Sequence, residues 1–232
     1  MCVYLLSVKY YFKMEPRELI RKVVELYREA RNPRFYHPNV KRGKSRSISG
    51  LSEDVFTYFL AVNLIEDYEF YTDQNITFDK TIPLKSIRPD ITLVKNDTVR
   101  DILDIKMDLG WKRDEFGKFC YELNEKVLSI RGKKGKIKPL NLDGISTTQK
   151  LLKLSEDLIF HIVLISKLNI SKEKLKKHLD FIKNSKLMNI EVYILSSEVH
   201  PNAYGKYIED VVNAINVQEE EFERLLINLT RS

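Results

Sequence analysis

The sequence contains few of the residues that interrupt regular secondary structure. Its 232 residues include 8 Gly and 7 Pro, about half of the share usual in globular proteins. This scarcity excludes collagen and low-complexity disorder, and it favours long helices and strands. Cysteine is also scarce: Cys2 and Cys120 are too few for a disulfide scaffold or a cysteine-based zinc site, which points to a reducing compartment.

Long hydrophobic runs are missing as well. No run approaches the roughly 18 apolar residues that a bilayer-spanning helix needs, so we expect no membrane segment. Residues 1–13 lack a basic region followed by a small-residue cleavage site, and no signal peptide is predicted there. The chain can bury one sizeable core, and no repeat or linker divides it. We therefore predict a single domain over residues 1–232 and a cytoplasmic location.

The charge is concentrated in two segments without acidic residues. The whole chain carries a formal charge of +6, with 39 Lys and Arg against 33 Asp and Glu. Lys and Arg displace condensed counterions from nucleic acid, so such segments are suited to a phosphate backbone. Ordinary solvated loops are the alternative. The candidate nucleic-acid-binding residues are Arg34, Lys41, Arg42, Lys44 and Arg46 in the first segment, and Lys133, Lys134 and Lys136 in the second.

The pattern of apolar residues predicts an α/β fold with a mixed sheet. Helices are predicted at 15–31, from Ser49 or Ser52 to about 66, at 111–130, 146–156, from Ser171, and at 204–216 and 217–229; strands are predicted at 69–79, 88–95, 99–107, 158–166 and 190–195. The last two strands and the helix between them form a parallel βαβ unit. His161 lies inside a predicted strand, where a packed core residue is more common than a ligand.

The hairpin predicted over 88–107 carries the candidate catalytic residues. In a strand, alternate side chains share a face, so Asp104 and Lys106 point the same way, while Leu103 and Ile105 point to the other face. Asp90 lies on the neighbouring arm. If the two arms are joined by two residues, Asp90 faces Leu103; if the connection has an odd length, Asp90 faces Asp104. We predict the odd-length connection, because Asn96 or Asp97 can adopt the left-handed conformation that it needs.

Two aspartates that face each other repel unless they share a proton or a cation. Asp90 and Asp104, with Glu53 on the preceding helix as a possible third carboxylate, form a hard-oxygen site suited to Mg²⁺ or Mn²⁺. The chemistry natural to such a site is metal-assisted phosphodiester hydrolysis. Lys106 is placed to hold the attacking water or to stabilise developing negative charge. On its position alone, Glu53 is better explained by a favourable interaction with the helix dipole.

At these residues the sequence resembles the PD-(D/E)xK nuclease superfamily, which includes restriction endonucleases and Holliday junction resolvases. The matching residues are Pro89-Asp90, then Asp104-Ile105-Lys106 after a gap of thirteen, with Glu53 before them. The chain also looks like nuclease-like proteins of archaeal viruses, which would place it in the host cytoplasm. The second acid is Asp, where Glu is more common in the superfamily.

The resemblance implies a restriction-endonuclease-like αβββαβ core over about 50–196, with extra helices at both ends: an N-terminal helix and basic loop over 15–49, and C-terminal helices over 204–229. It implies that Asp90, Asp104 and the carbonyl of Ile105 bind the metal, that Lys106 is catalytic and that Glu53 assists. The motif is short and permissive. The alternative is an exposed charged hairpin without catalytic function, in a protein unrelated to nucleic acid.

These observations predict a divalent-metal-dependent DNA endonuclease, with the substrate open between a four-way junction, a duplex site, and flaps or ends. The runner-up is a catalytically silent DNA-binding protein with the same fold. We also expect a homodimer, since two sites can cut two strands. The apolar stripe of Phe222, Leu225, Leu226 and Leu229 is one candidate dimer surface, and packing on the protein's own core is the alternative.

Overall fold

The computed structural model describes residues 13–35, 37–64, 67–141 and 143–231. Cys2 and nearly all of the opening stretch, where no signal peptide is predicted, lie outside these ranges. The helices of the described part are α1 (Pro16–Ala30), α2 (Ser49–Asn63), α3 (Phe116–Ile130), α4 (Lys172–Asn184), α5 (Ile208–Ala214) and α6 (Glu219–Thr230), with a 3₁₀ helix at Gly110–Asp114. None of these helices has the length and apolar character needed to cross a bilayer.

A mixed sheet of eight strands forms the centre of the molecule. The strands are β1 (Glu69–Thr72), β2 (Ile76–Phe78), β3 (Ser86–Ile87), β4 (Ile91–Lys95), β5 (Thr98–Lys106), β6 (Lys134–Ile137), β7 (Lys150–Leu164) and β8 (Ile190–Ile194), and a separate small ribbon pairs β9 (Ser196–Ser197) with β10 (Asn216–Val217). The main order is β1-β4-β5-β7-β6-β2-β3, with β8 also paired to β7. The pairs β5–β7 and β7–β8 are parallel and the others antiparallel. The α/β class with a helix-flanked mixed sheet is thus confirmed.

Both faces of the sheet around β5 are covered by apolar side chains. Leu103 and Ile105 pack into a core formed with α1, α2 and α6, whereas Ile102 packs into a second core formed with α3 and α4. This alternation is the one expected of a strand covered on both sides. It fixes β5 between two layers of helices and therefore fixes the direction in which Asp104 and Lys106 point.

The helix predicted over 146–156 is wrong. This segment is extended, and β7 begins at Lys150 and continues for 15 residues to Leu164. Its first part pairs with β6 and its last part with β5 and β8. Leu152 and Leu154 are buried while the intervening Lys153 is exposed. Pairing on both sides and this alternate burial outweigh the helical spacing of the leucines.

The second basic segment is also not the loop that the sequence predicts. Lys134 and Lys136 lie on β6, and Lys133 directly precedes it. Between them Gly135 lies so close to the Ile76 side chain that a Cβ at this position would be 2.4 Å from it. Glycine at this position allows β2 and β6 to approach closely. Lys134 and Lys136 are exposed and alternate along β6 with the buried Gly135 and Ile137.

The hairpin connection differs from the prediction, although the register beyond it does not. Asn96 and Asp97, both with positive φ, form a two-residue turn that pairs Lys95 with Thr98. A bulge at Arg100 then shifts the pairing by one residue. Past the bulge Ile91 pairs with Leu103, which brings the segment before β4 alongside Asp104. The bulge thus supplies the one-residue offset that was expected from the turn.

The C-terminal apolar stripe packs into the protein's own core. Phe222, Leu225 and Leu229 are completely buried, and they contact the cluster formed with α1 and α2. These three side chains therefore have no exposed area to offer a partner, which agrees with the alternative of packing on the protein's own core. Leu226 is partly buried against the same cluster. The homodimer stays a prediction.

A buried polar network connects three strands and the last helix. His161 on β7 has no exposed surface; its Nε2 lies 2.9 Å from Asp101 Oδ1 and its Nδ1 lies 3.0 Å from the Tyr193 hydroxyl. Asn228 on α6 donates to the same hydroxyl at 2.9 Å. His161 is thus a satisfied core residue, as predicted. Buried polar groups of this kind are stable only while every partner is present.

Replacing Asp101 by Ala should destabilise the fold, because it leaves the buried imidazole of His161 without its carboxylate partner. A loss of about 2 kcal/mol is expected from an unsatisfied buried group, and for a chain of this size it lowers Tm by about 4–8 °C. Thermal unfolding followed by circular dichroism measures the change. Asp157→Ala is the control, since Asp157 is an exposed partner of Arg131. Equal melting temperatures for the two variants would contradict the account.

Candidate active site

Asp104 and Lys106 lie near the end of β5 on one face of the sheet, as the alternation predicts. Asp104 is only 9% exposed. The Lys106 ammonium donates to Asp104 Oδ1 at 2.5 Å. Since β5 is held between two helical layers, this pair has a fixed position and direction. An acid and a base two residues apart on a central strand are unusual for a simple surface, because the acid here is largely withdrawn from water.

Asp90 joins this pair from the neighbouring segment. It follows the buried Pro89 between β3 and β4, and its Oδ2 accepts a hydrogen bond of 2.6 Å from the backbone amide of Ile105. This amide sits between Asp104 and Lys106 in the chain. The hydrogen bond therefore locks the Asp90 carboxylate beside both of them, as the sequence predicts.

The pKa of Asp90 is raised to about 7. Partial burial is the largest cause, and the charge of Asp104 is the second; the amide of Ile105 and the charge of Lys106 act in the opposite direction. Burial and the charge of Asp104 together thus outweigh the groups that stabilise the charged form of Asp90. A cation bound between the two carboxylates would offset the repulsion between them.

Glu53 lies in the second turn of α2, since the helix begins four residues earlier at Ser49. Its pKa is raised, chiefly by partial burial and by the charge of Asp73; Lys106 lowers it and Asp104 raises it further. The charges of Asp104 and Lys106 thus act on the Glu53 carboxyl. The hydrogen bonds that join Asp90, Asp104 and Lys106 to one another do not include it.

Asp73 and Arg88 are site residues that the sequence interpretation missed. The amide of Asp73 donates to the Asp90 carbonyl at 2.8 Å. Arg88 donates from Nε and Nη2 to the two carboxylate oxygens of Asp73, each at 2.7 Å. The available signal was the position of Arg88 directly before Pro89-Asp90. Asp73 has a φ of 48°, which its short polar side chain tolerates.

A cleft of about 500 Å³ opens onto Asp104 and Lys106. Arg88 and Lys112 line it, and so does Asp108, which follows β5. Asp108 Oδ1 accepts from the Gly110 amide and from Asn169 Nδ2, both at 2.7 Å, while Oδ2 lies 3.3 Å from His200 Nε2. The pKa of Asp108 is lowered, with His200 as the largest cause. Asp108 thus forms a charged wall of the cleft that is held by its own partners.

The first basic segment leads directly into the helix that carries Glu53. Arg34, Lys41, Arg42 and Lys44 are exposed. Arg46 is partly buried, and its guanidinium donates to the Glu29 carbonyl at 3.0 Å, so it anchors the loop on α1. The loop ends at Ser49, where α2 begins, four residues before Glu53. Four of the five predicted binding residues are thus exposed to solvent.

Only the C-terminal end of the second basic segment lies next to a residue of the cleft. Lys133 and Lys134 line a separate depression with Asp79, and the Lys136 ammonium lies 3.1 Å from Asp79 Oδ1. Lys138, by contrast, shares a depression with Arg88. Arg88 in turn lines the cleft at Asp104. The positive charge of this segment thus connects to the cleft through Lys138 rather than through the three lysines predicted.

The oxygen donors present are of the type that Mg²⁺ and Mn²⁺ prefer. Magnesium is commonly held by one or two carboxylates, with waters and substrate phosphate completing the shell. Asp90 and Asp104 supply two carboxylates, and the charge of Asp104 contributes to the raised pKa of Asp90. A cation between them would offset that contribution, so the donor set fits a magnesium-type site. Within the described residues, no group of three or more His, Cys, Asp or Glu side chains is placed to hold a metal ion.

No protein-family model matches the chain, and the searches of curated proteins and of solved structures returned no match. Any function proposed for the chain consequently rests on the geometry of its own residues.

The raised pKa of Asp90 predicts a pH-dependent stability. Because the folded protein binds this proton more tightly than the unfolded chain, the stabilisation is complete below the unfolded value of 3.8 and is lost as the pH rises toward about 7. Asp90→Asn removes the charge that causes this loss. In EDTA at pH 8 the variant should melt about 2–4 °C above the wild type, a shift of on the order of 1 kcal/mol, and the gain should vanish at pH 4.

Thermal scans between pH 4 and pH 8 measure this effect. Asp180→Asn, on the exposed face of α4, is the matched control and should show no such trend. If Asp90→Asn melts at the same temperature as the wild type throughout this range, the two aspartates are not in the repulsive contact described.

Proposed function

We propose that the protein is a divalent-metal-dependent DNA endonuclease. The observation that carries the proposal is the convergence of Asp90 with Asp104 and Lys106, held by the hydrogen bond from the Ile105 amide; Asp104 and Lys106 line the open cleft. A buried and a partly buried carboxylate beside an ammonium are suited to binding a cation and a phosphodiester together. A merely structural hairpin gains no stability from holding two acids so close.

The order of elements supports a restriction-endonuclease-like core. Between α2 and α3 the strands β1, β4 and β5 form a three-stranded antiparallel arrangement, and β7 follows α3 and pairs in parallel with β5. This order is compatible with the αβββαβ core that the resemblance implies, with β2 and β3 inserted between the first two strands and β6 inserted between α3 and β7.

The role of each residue follows from its position. Asp90, Asp104 and the carbonyl of Ile105 would hold the metal ion, which supplies Lewis acidity and a water of lowered pKa. The Lys106 ammonium, hydrogen-bonded to Asp104, would orient the attacking water and stabilise negative charge that develops on the phosphate. Arg88 presents its guanidinium at the cleft while Asp73 fixes its orientation. Glu53, with its raised pKa, assists at the edge of the site.

Cleavage of DNA in the presence of Mg²⁺ or Mn²⁺ tests the proposal. Asp90→Ala, Asp104→Ala and Lys106→Ala should each lower kcat by about 10²-fold or more, as expected for loss of one group that stabilises the transition state. Gel assays on duplex, single-stranded and four-way-junction DNA measure the rates. DNA binding should be largely retained by the three variants, since the basic segments are unchanged.

Lys176→Ala and Asp180→Ala are the matched controls, because this exposed pair on α4 repeats the same two residue types away from the cleft. Both should cut like the wild type. Cutting that survives Asp90→Ala and Lys106→Ala would refute the site. Binding by the wild type without any metal-dependent cutting would favour the silent DNA-binding protein.

The exposed charges predict how binding depends on salt. Each lost phosphate contact lowers the slope of log K against log salt by about 0.9 for B-form DNA. The triple variant Lys41→Ala, Arg42→Ala, Lys44→Ala should flatten the slope, and replacing Lys133, Lys134 and Lys136 should do so less because Lys136 is already paired. Fluorescence anisotropy at several salt concentrations measures the slope. Replacing Lys172, Lys176 and Lys177 on α4 is the control; an equal flattening there would deny the first loop a specific role.

A further inference from the structure

The cleft beside the proposed metal site has an apolar wall that phosphate binding does not require. Its apolar lining residues are Leu84, Ile87, Leu109, Phe119, Leu123 and Phe160. A surface that only grips a sugar–phosphate backbone needs cations and hydrogen-bond donors. Six apolar side chains next to Asp104 and Lys106 instead suit a ligand part with an apolar face.

Phe119 on α3 offers the aromatic surface of this wall. It is only partly buried, whereas Leu123, one turn further along α3, is buried beneath the cleft. The ammonium of Lys112, another lining residue, lies over this ring, 4.7 Å from its centroid, and Phe116 stacks on it with centroids 6.5 Å apart. A nucleobase that takes the place of the ammonium would meet the same aromatic face.

Charged groups surround the apolar wall at the mouth of the cleft. Arg88 and Lys106 lie on the side of the metal site, and Lys126 on α3 lies at the exposed edge. A nucleotide combines an apolar base face with an anionic phosphate, which matches a wall of this kind with cations at its rim. The cleft volume of about 500 Å³ lies within the roughly 300–1,000 Å³ usual for pockets that enclose a small ligand.

We propose that this cleft binds an unpaired nucleotide, with its base against Phe119 and its phosphate at Lys106. Resting on the function proposed above, this makes the substrate a DNA strand with unpaired nucleotides at the cut site, such as a single strand, a flap or a frayed end. In an intact duplex the base faces are stacked inside the helix, so they reach such a wall only after the nucleotide leaves the stack.

Binding of a short single strand that contains 2-aminopurine tests the pocket without cleavage. The fluorescence of this base falls when it stacks on an aromatic ring, and the experiment uses the full chain in Ca²⁺ with the blunt duplex as the comparison. The wild type should quench the single strand and bind it about 10-fold more tightly than the duplex. Phe119→Ala should lose the quenching and about 10-fold in affinity, the size expected for one stacking contact.

Two further variants keep the test decisive. Phe119→Trp should retain quenching and affinity, and Lys126→Glu, at an exposed position, should weaken single-strand binding without affecting the fold. Tyr121→Ala is the control: Tyr121 is an exposed aromatic residue on the same helix that does not line the cleft. Binding by Phe119→Ala with unchanged quenching, or tighter binding of the duplex by the wild type, would overturn the proposal.

Cleavage of the same substrates in Mg²⁺ or Mn²⁺ separates this proposal from the proposed function. Equal cutting of duplex and single strand, with no effect of Phe119→Ala, would support the nuclease function and refute the nucleotide pocket. Phe119-dependent quenching without any cutting would support the pocket and refute the nuclease function.

Discussion

The hydrogen bond from the Ile105 amide to the Asp90 carboxylate is the contact on which the site depends. It joins two separate segments at the point where Asp104 and Lys106 flank the donor in sequence. It exists only because the bulge at Arg100 offsets β4 against β5 by one residue. It also holds Asp90 near Asp104, whose charge adds to the effect of burial in raising the pKa of Asp90. A cation between the two carboxylates would offset this repulsion, which is the basis of the proposed metal chemistry.

The sequence predicted this hairpin well because its information is local. Alternation places Asp104 and Lys106 on one face, and the turn residues Asn96 and Asp97 mark the connection, so strand and face follow from a short window of residues. The bulge is different: it depends on how β5 pairs with β4 on one side and β7 on the other, and no local pattern marks it. The predicted offset was therefore right at Asp90 and its assigned cause, an odd-length connection, was wrong.

Long-range pairing also explains the other differences. The leucines of residues 151–154 fit a helix by spacing alone, yet β6 and β5 pair with this segment and draw it into the sheet. Arg88 and Asp73 are distant in sequence and meet only when β1 pairs with β4. The charge surplus is likewise meaningful only once placed: the first loop enters α2 beside the site, whereas much of the second lies on β6 and engages Asp79. Charged and apolar side chains line the same cleft. Neither the charge distribution nor the apolar pattern of the sequence predicts this by itself.

The position of a bound metal ion tests the central claim most directly. Crystals soaked in Mn²⁺ would show the ion through its anomalous scattering. The account predicts a peak within about 2.0–2.3 Å of carboxylate oxygens of both Asp90 and Asp104, next to the carbonyl of Ile105. A peak at other residues with none between these aspartates, or Asp90 and Asp104 on opposite faces of the sheet, would contradict it.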